Sequence, residues 1–523
     1  MSEVLATIEN PDFSQGIPLE LLQDGGMLKG NVRGEPALVI RHGDKVFAIS
    51  ASCTHYGGPL GDGLLVNDTV RCPWHHACFS IRTGAVVRPP GLDPLQRWRV
   101  EQRDGMILAA EKLERVEPAV LSTVDSLASV VIVGGGAAGY AAAATLRGEG
   151  YTGLLTIFSA DEFLPCDRPN LSKGYLAGAA PDPSNLLKPA EFYKDNRINV
   201  MLNARVVKID VANRVVELAD GHRYAYDALL LATGASPVRL RIPGADLAHV
   251  HYLRGITDAH ALVEAGKSAK RAVVVGASFI GLEVASSLRA RGLEVDVVGP
   301  ETILMEKVLG PDVGRFLRAV HEDHGVTFHL GTTPTGIDER GVTLENGGRV
   351  DADLVVIGIG VQPETRLAEE AGLKVDRGVL VNQYLETSEA GIYAAGDIAR
   401  WPDPLSGERI RVEHFVVAER QGETAARNIL GRQETFAAVP FFWTEQYDLG
   451  IAYVGHGASF DEAIVDGDLE TRDCSITYCR NGEKVAVAVI HRDLAGLEAE
   501  VEFERRIAGG SDHHRHSLEH ERA

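Results

Sequence analysis

The N-terminal part of the chain alternates short apolar runs with Gly and Pro: ALVIRH, KVFAIS, TVRC, ACFSI and MILAA. Runs of this length, rich in β-formers and bounded by turn residues, predict strands rather than helices. Residues 1–114 are therefore expected to form a small all-β domain. The stretch ERVEPAVLSTVDS, residues 114–126, has no strong periodicity, and a linker is expected at 115–128.

The pattern changes at residue 129. ASVVIVGGGAAGYAAAATLRGEG is a buried strand, a Gly-rich turn and an Ala-rich helix. Gly134, Gly136 and Gly139, with Ala137 and Ala138 between the last two, make G-x-G-x-x-G. The first glycine permits the tight turn, the second lets backbone approach a pyrophosphate, and the third lets helix and strand pack closely. The helix N-terminus then offers free N–H groups to the phosphates. The next strand, LLTIFS, leads to Asp161 and Glu162, one of which is expected on ribose hydroxyls. The same period returns in RAVVVGASFIGLEVASSLRARGLEVDVVGPE, where Gly276 and Gly281 stand, Ser278 replaces the middle glycine, and Phe279 and Ile280 follow it. Two such folds imply two dinucleotides, a flavin and a nicotinamide being the usual partners in hydride transfer.

Two further strands end in small residues. YDALLLATGASP closes on Ala232, Thr233 and Gly234, and GIYAAGDIA on Gly396 and Asp397. Asp397, before a predicted helix, is placed to accept a ribityl hydroxyl; taken alone it would read as a helix N-cap.

These pieces, with DRPNLSKGYL, VVIGIGVQPET, EHFVVAERQGETAARNILG and PFFWTEQYDLGIAYVG, run in one order over 129–523. That segment resembles the two-dinucleotide flavoprotein reductases, in particular the ferredoxin reductases of bacterial oxygenase systems and the apoptosis-inducing-factor group. The resemblance implies FAD in a first fold split over 129–250 and 373–435, NAD(P)H in an inserted fold at 251–372, and a C-terminal α+β interface domain at 436–510. It also implies that Arg168 and Lys173 reach the FAD, that Lys173 pairs with Glu283 beside the nicotinamide as the catalytic couple, and that His414 and Phe415 lie beside the flavin. Val206 matches a position whose backbone meets the adenine, and Gly360 belongs to the VVIGIG motif. A cation near the flavin's reactive edge favours its anionic reduced ring.

Upstream, CTHYGGPLGDG and RCPWHHACFS bring Cys53, His55, Cys72 and His75 into the pattern C-x-H, sixteen residues, C-x-x-H. This resembles the Rieske signature, which implies a [2Fe–2S] cluster held by Cys53 and Cys72 on one iron and His55 and His75 on the other. His76 and Cys78 are then bystanders, and Gly58 and Trp74 occupy the places where some Rieske proteins carry a bracing disulfide. The rival reading of the same four ligands is a tetrahedral zinc site.

Composition narrows the field. A chain of 523 residues exceeds one core, so roughly three to four domains are expected. The fold class is multidomain: all-β, then α/β, then α+β. A net charge of −21 argues against nucleic acid as a partner. No apolar run suits a bilayer, so no membrane partner is expected. The N-terminus lacks a basic n-region and an h-region, and six Cys make no disulfide framework, which together point to the cytoplasm. The His-rich end, 511–523, reads as a disordered tail. Cys474 and Cys479, an odd number apart on one strand, are expected on opposite faces and unable to bridge.

The combined reading is an enzyme that passes electrons from NAD(P)H through FAD to the Rieske cluster, and on to a one-electron acceptor such as a ferredoxin or an oxygenase component. NADH is favoured over NADPH because Glu301 follows the second dinucleotide strand. A monomer and a homodimer are equally compatible with it. Two alternatives stand beside it: a redox-sensing regulatory flavoprotein of the apoptosis-inducing-factor kind, and a thiol-dependent oxidase or disulfide reductase using Cys166, which lies 32 residues after Gly134.

Overall fold

The computed structural model describes residues 10–115, 127–180 and 186–520, with side chains to residue 509. The expected linker at 115–128 falls mostly outside the described residues. The chain divides into two compact units. One is 1–119 together with 492–505; the other is 120–491 together with 506–523.

The first unit is built on two antiparallel sheets. Six strands run in the order Ile17–Pro18, Met106–Leu113, Arg97–Arg103, Lys45–Ser50, Glu35–His42 and Met27–Val32. Along Glu35–His42 four successive residues are buried, because each face of the strand has its own core. Ala37 and Val39 pack with Phe13, Trp98 and Ile107; Leu38 and Ile40 pack with Ile49, Val70 and Phe79. Strict alternation fails where both faces of a strand are covered. The smaller sheet joins Leu64–Val66, Thr69–Arg71, Cys78–Ser80 and Val86–Arg88 in sequence order.

The second unit holds two five-stranded parallel sheets. The first runs Asn199–Met201, Leu154–Phe158, Ser129–Val133, Ala228–Leu231, Ile392–Ala394. Its fifth strand is recruited from far downstream. The second runs Val250–Tyr252, Leu354–Ile357, Arg271–Val275, Glu294–Gly299, Val326–Leu330, and lies wholly within that gap in the chain. One dinucleotide fold is thus inserted into the other. Close packing locks the first fold: a Cβ on Gly422 of helix Phe415–Ile429 would lie 2.2 Å from the Ala138 carbonyl oxygen in helix Ala137–Gly148.

A five-stranded antiparallel sheet follows, Phe441–Gln446, Leu449–Gly455, Glu483–Ile490, Asp473–Arg480, Glu462–Asp468. Cys474 and Cys479 are both buried on it, Cys474 sharing the parity of the buried Ile476 and Tyr478 and Cys479 following them. A register shift between Tyr478 and Cys479 interrupts the alternation. Neither cysteine is in a disulfide. The last helix, Asp493–His520, departs from the sequence reading twice. It is helical through most of the segment read as a disordered tail, and its residues 493–505 group with the first unit rather than with the C-terminal sheet.

Candidate functional site

The second unit encloses a cavity of about 960 Å³ whose wall draws on both dinucleotide folds and the C-terminal sheet. Gly134 is held at φ +118°, and a Cβ there would fall 2.1 Å from the Ala232 carbonyl oxygen. Gly139 is as constrained, with Gly134 O at 2.1 Å, whereas a Cβ on Gly136 meets nothing within 4 Å. The outer two glycines therefore serve backbone packing. The middle one faces open space on the cavity wall, as a site for close pyrophosphate approach requires. In the second fold Gly281 packs in the same way, 2.0 Å from Gly276 O. Ser278 caps its own helix, accepting from Gly281 N at 3.1 Å and donating to Gly358 O at 2.8 Å.

Lys173 and Glu283 meet within this cavity. Lys173 Nζ lies 2.9 Å from Glu283 Oε2, with side chains 10% and 5% exposed. Ser172 Oγ donates to Oε2 at 2.5 Å and Thr444 Oγ1 to Oε1 at 2.6 Å. The carboxylate is thus met by three donors from two parts of the chain, which is the condition for keeping a charge buried. Trp443 lies under the ammonium, 5.9 Å from Nζ to its ring centre. Thr444 was not singled out in the sequence, because a threonine within FFWTEQ carries no local signal for a partner 161 residues away.

Asp397 Oδ2 accepts from Arg254 Nη2 at 2.6 Å, and both side chains line the cavity. Arg254 also escaped the sequence reading; it stands in no glycine motif and reaches the site only through folding. His414 and Phe415 line the wall as well. His414 Nδ1 is buried without a hydrogen-bond partner. Burial, reinforced by His456, lowers this imidazole to about 3, so the ring is neutral at physiological pH.

Arg168, Val206, Ala232, Thr233, Gly234, Phe279, Ile280, Gly360 and Gly396 also line the cavity, as do Ala137 and Ala138. Of the two ribose candidates, Asp161 lines it. Glu162 is turned to Thr257, whose Oγ1 donates to it at 2.6 Å. Glu301 is not on the wall; its carboxylate folds back over Gly299, where a Cβ would fall 2.6 Å from Oε2. Cys166 is partly buried, and burial raises its thiol above the ordinary range despite Arg168.

In the first unit two loops carry Cys53, His55, Cys72 and His75, the ligands expected from the sequence. The first is pinned by Cys53 N donating to Gly58 O at 2.9 Å. The second, a turn between strands Thr69–Arg71 and Cys78–Ser80, is pinned by Cys72 N to Ala77 O at 2.8 Å. His55 Nδ1 and His75 Nδ1 point at one another, 3.0 Å apart. Burial and the facing His75 lower His55 to about 2, so it presents a neutral ring nitrogen. Cys72 accepts a thiol hydrogen bond from Cys53, which lowers Cys72 and raises Cys53. Gly58 presses on this pair: a Cβ there would be 2.6 Å from Cys72 Sγ. Among the described residues no three His, Cys, Asp or Glu side chains gather as ligands of one ion. The four instead form a nitrogen pair and a sulfur pair, which matches the demand of two irons with two protein ligands each.

Residues 128–422 match the family of pyridine nucleotide-disulphide oxidoreductases. The chain belongs to that family. Residues 17–99 of this flavoprotein reductase match the Rieske [2Fe-2S] domain, and 441–511 the reductase C-terminal domain. The reductase is 34% identical to human (Homo sapiens) apoptosis-inducing factor 3 over 492 residues, 90% of this chain and 80% of that one. It is 38% identical to rhodocoxin reductase of Rhodococcus erythropolis, over 68% of this chain and 84% of that one. Among solved structures, the covalent putidaredoxin reductase–putidaredoxin complex matches with a TM-score of 0.70 at 32% identity, covering 72% of this chain and 93% of that one. The reductase is thus an FAD-dependent oxidoreductase that uses NAD(P)H and carries a Rieske [2Fe–2S] cluster. The residues present suit these groups: the lone buried His414 Nδ1 and the open face of Gly136 suit a flavin dinucleotide, and the two ligand pairs suit the cluster. Among the described residues no helix is long and apolar enough to cross a membrane.

Proposed function

We propose that this reductase takes electrons from NAD(P)H, passes them through FAD to its own Rieske cluster, and delivers them singly to a protein acceptor. The acceptor class is a ferredoxin or an oxygenase component. The observation that carries the reading is that one chain holds both the Lys173–Glu283 cavity and the paired Cys and His loops. A bound flavin accepts a hydride and releases electrons one at a time, which is the conversion a [2Fe–2S] acceptor needs.

The chain's own contribution is electrostatic and positional. Lys173 supplies positive charge at the cavity wall, held by Glu283. Neutral His414 adds none; Arg168 pairs with Asp161 and Arg254 with Asp397, and both arginines would offset the phosphate charge of a bound dinucleotide. The relatives named as rhodocoxin, rubredoxin and putidaredoxin reductases support a small redox protein as acceptor. NADH is proposed as the donor on the sequence position of Glu301 beyond strand Glu294–Gly299; its carboxylate does not itself line the cavity. A cytoplasmic setting is proposed because the six cysteines form no disulfide.

Anaerobic titration of the full chain with NADH and then NADPH, followed by visible and EPR spectroscopy, tests the proposal. Flavin bleaching followed by a reduced Rieske signal is expected. Flavin bleaching with the iron left oxidised would refute the internal pathway.

A further inference from the structure

The turn bearing the second pair of cluster ligands is gripped from the far end of the chain. Glu500 and Glu504 belong to the segment 492–505 that groups with the first unit. Glu500 Oε2 accepts from His76 Nδ1 at 2.9 Å and from Arg71 Nη1 at 3.4 Å. Arg71 immediately precedes ligand Cys72, and His76 immediately follows ligand His75. One carboxylate therefore joins the two residues that bracket the Cys-x-x-His turn. The grip is dry: His76 and Glu500 have side chains 0% exposed and Arg71 5%. Glu504 reinforces it by taking both Arg71 Nη atoms, at 3.0 and 2.7 Å, and pairing with Arg88.

Two features show that the arrangement is specific. His76 is held at φ +60°, a left-handed conformation that a residue with a Cβ adopts at a cost. Glycine would be the undemanding choice there, so the imidazole is retained against a backbone penalty. Removing one partner from a buried ionic network also leaves uncompensated charge, so such a network holds its elements in register strongly.

We infer that Glu500 is a positioning residue for the Rieske cluster: acting through Arg71 and His76, it fixes the Cys72–His75 turn and places a buried carboxylate behind it. This rests on the cluster assignment made above. Outer partners of metal ligands commonly tune both retention and potential.

The test uses the full-length chain with Glu500→Gln, Glu500→Ala and His76→Gly. Iron per chain, the g-values of the dithionite-reduced cluster and its midpoint potential are measured. Glu500→Gln preserves shape while removing charge, and is expected to retain iron but favour the reduced cluster by about tenfold, a rise of about 59 mV for one electron. Glu500→Ala is expected to lose iron more than about tenfold faster to a chelator, within the range for outer-partner loss. His76→Gly relieves the backbone but cuts the link, and is expected to shift the g-values. If wild type shows no Rieske signal, the cluster assignment fails. If wild type shows it, and Glu500→Gln and His76→Gly match wild type in potential, g-values and iron retention, the positioning role is overturned. Should Glu500→Ala not fold, the other two variants still decide.

Discussion

Lys173 and Glu283 form a buried ion pair at 2.9 Å, the lysine coming from the first dinucleotide fold and the glutamate from helix Phe279–Ala290 of the second. The pair ties the two folds together at the cavity that serves both. Replacing Glu283 with Ala leaves the ammonium buried without its carboxylate and is expected to cost about 3–5 kcal/mol of stability. Glu283→Gln, which keeps an acceptor for Ser172 or Thr444, should cost less. Denaturant unfolding of the flavin-loaded protein measures both. Stopped-flow bleaching by NADH should slow in each variant, because Lys173 is no longer held in place.

Cys166 is the residue on which a thiol-dependent mechanism would depend. A reactive thiolate needs a lowered thiol, and here burial raises it. Cys166→Ser is expected to change NADH-dependent turnover by less than about twofold. Loss of turnover would instead restore the disulfide reductase reading.

Glu419 lies fully buried on helix Phe415–Ile429, and its carboxyl is raised well above the ordinary value of 4.5. Burial is the main cause; Asp167 and Glu423 add to it, and Arg420 opposes it. Above pH 4.5 an unfolded chain releases this proton while the folded chain keeps it, so stability falls as pH rises towards the folded value. Glu419→Gln removes that loss. Its melting temperature relative to wild type is expected to rise steadily from pH 5 to pH 8. A pH-independent difference would show that Glu419 is not protonated in the fold.

Gly422 has no space for a side chain against Ala138. Gly422→Ala is expected to part helices Ala137–Gly148 and Phe415–Ile429, costing about 1–3 kcal/mol as overpacking does. Flavin content per chain should drop with it, because the first of these helices follows the Gly134–Gly136 turn on the cavity wall.

Much of this protein was legible along the chain. Strand, Gly turn and helix are local objects, and their residues declare themselves by period and by the backbone freedom that glycine alone supplies. The spacing of Cys53, His55, Cys72 and His75 is likewise local, since each pair sits within a single short turn. The insertion of one dinucleotide fold into another was implied by the family resemblance, and strand Ile392–Ala394 sits beside Ala228–Leu231 accordingly.

Partners that meet only through folding left no such trace. Thr444 reaching Glu283, Arg254 reaching Asp397, and Glu500 reaching both Arg71 and His76 join residues more than a hundred positions apart. A lone threonine, arginine or glutamate has no period and no fixed neighbour that marks it. The sequence by itself determined which cofactors this chain is built to carry, because phosphate loops and metal ligands need particular residue types at particular short spacings. Tertiary structure alone decided how the charges around those cofactors are held, because a buried charge is stable only beside donors or counter-charges that the fold brings from elsewhere.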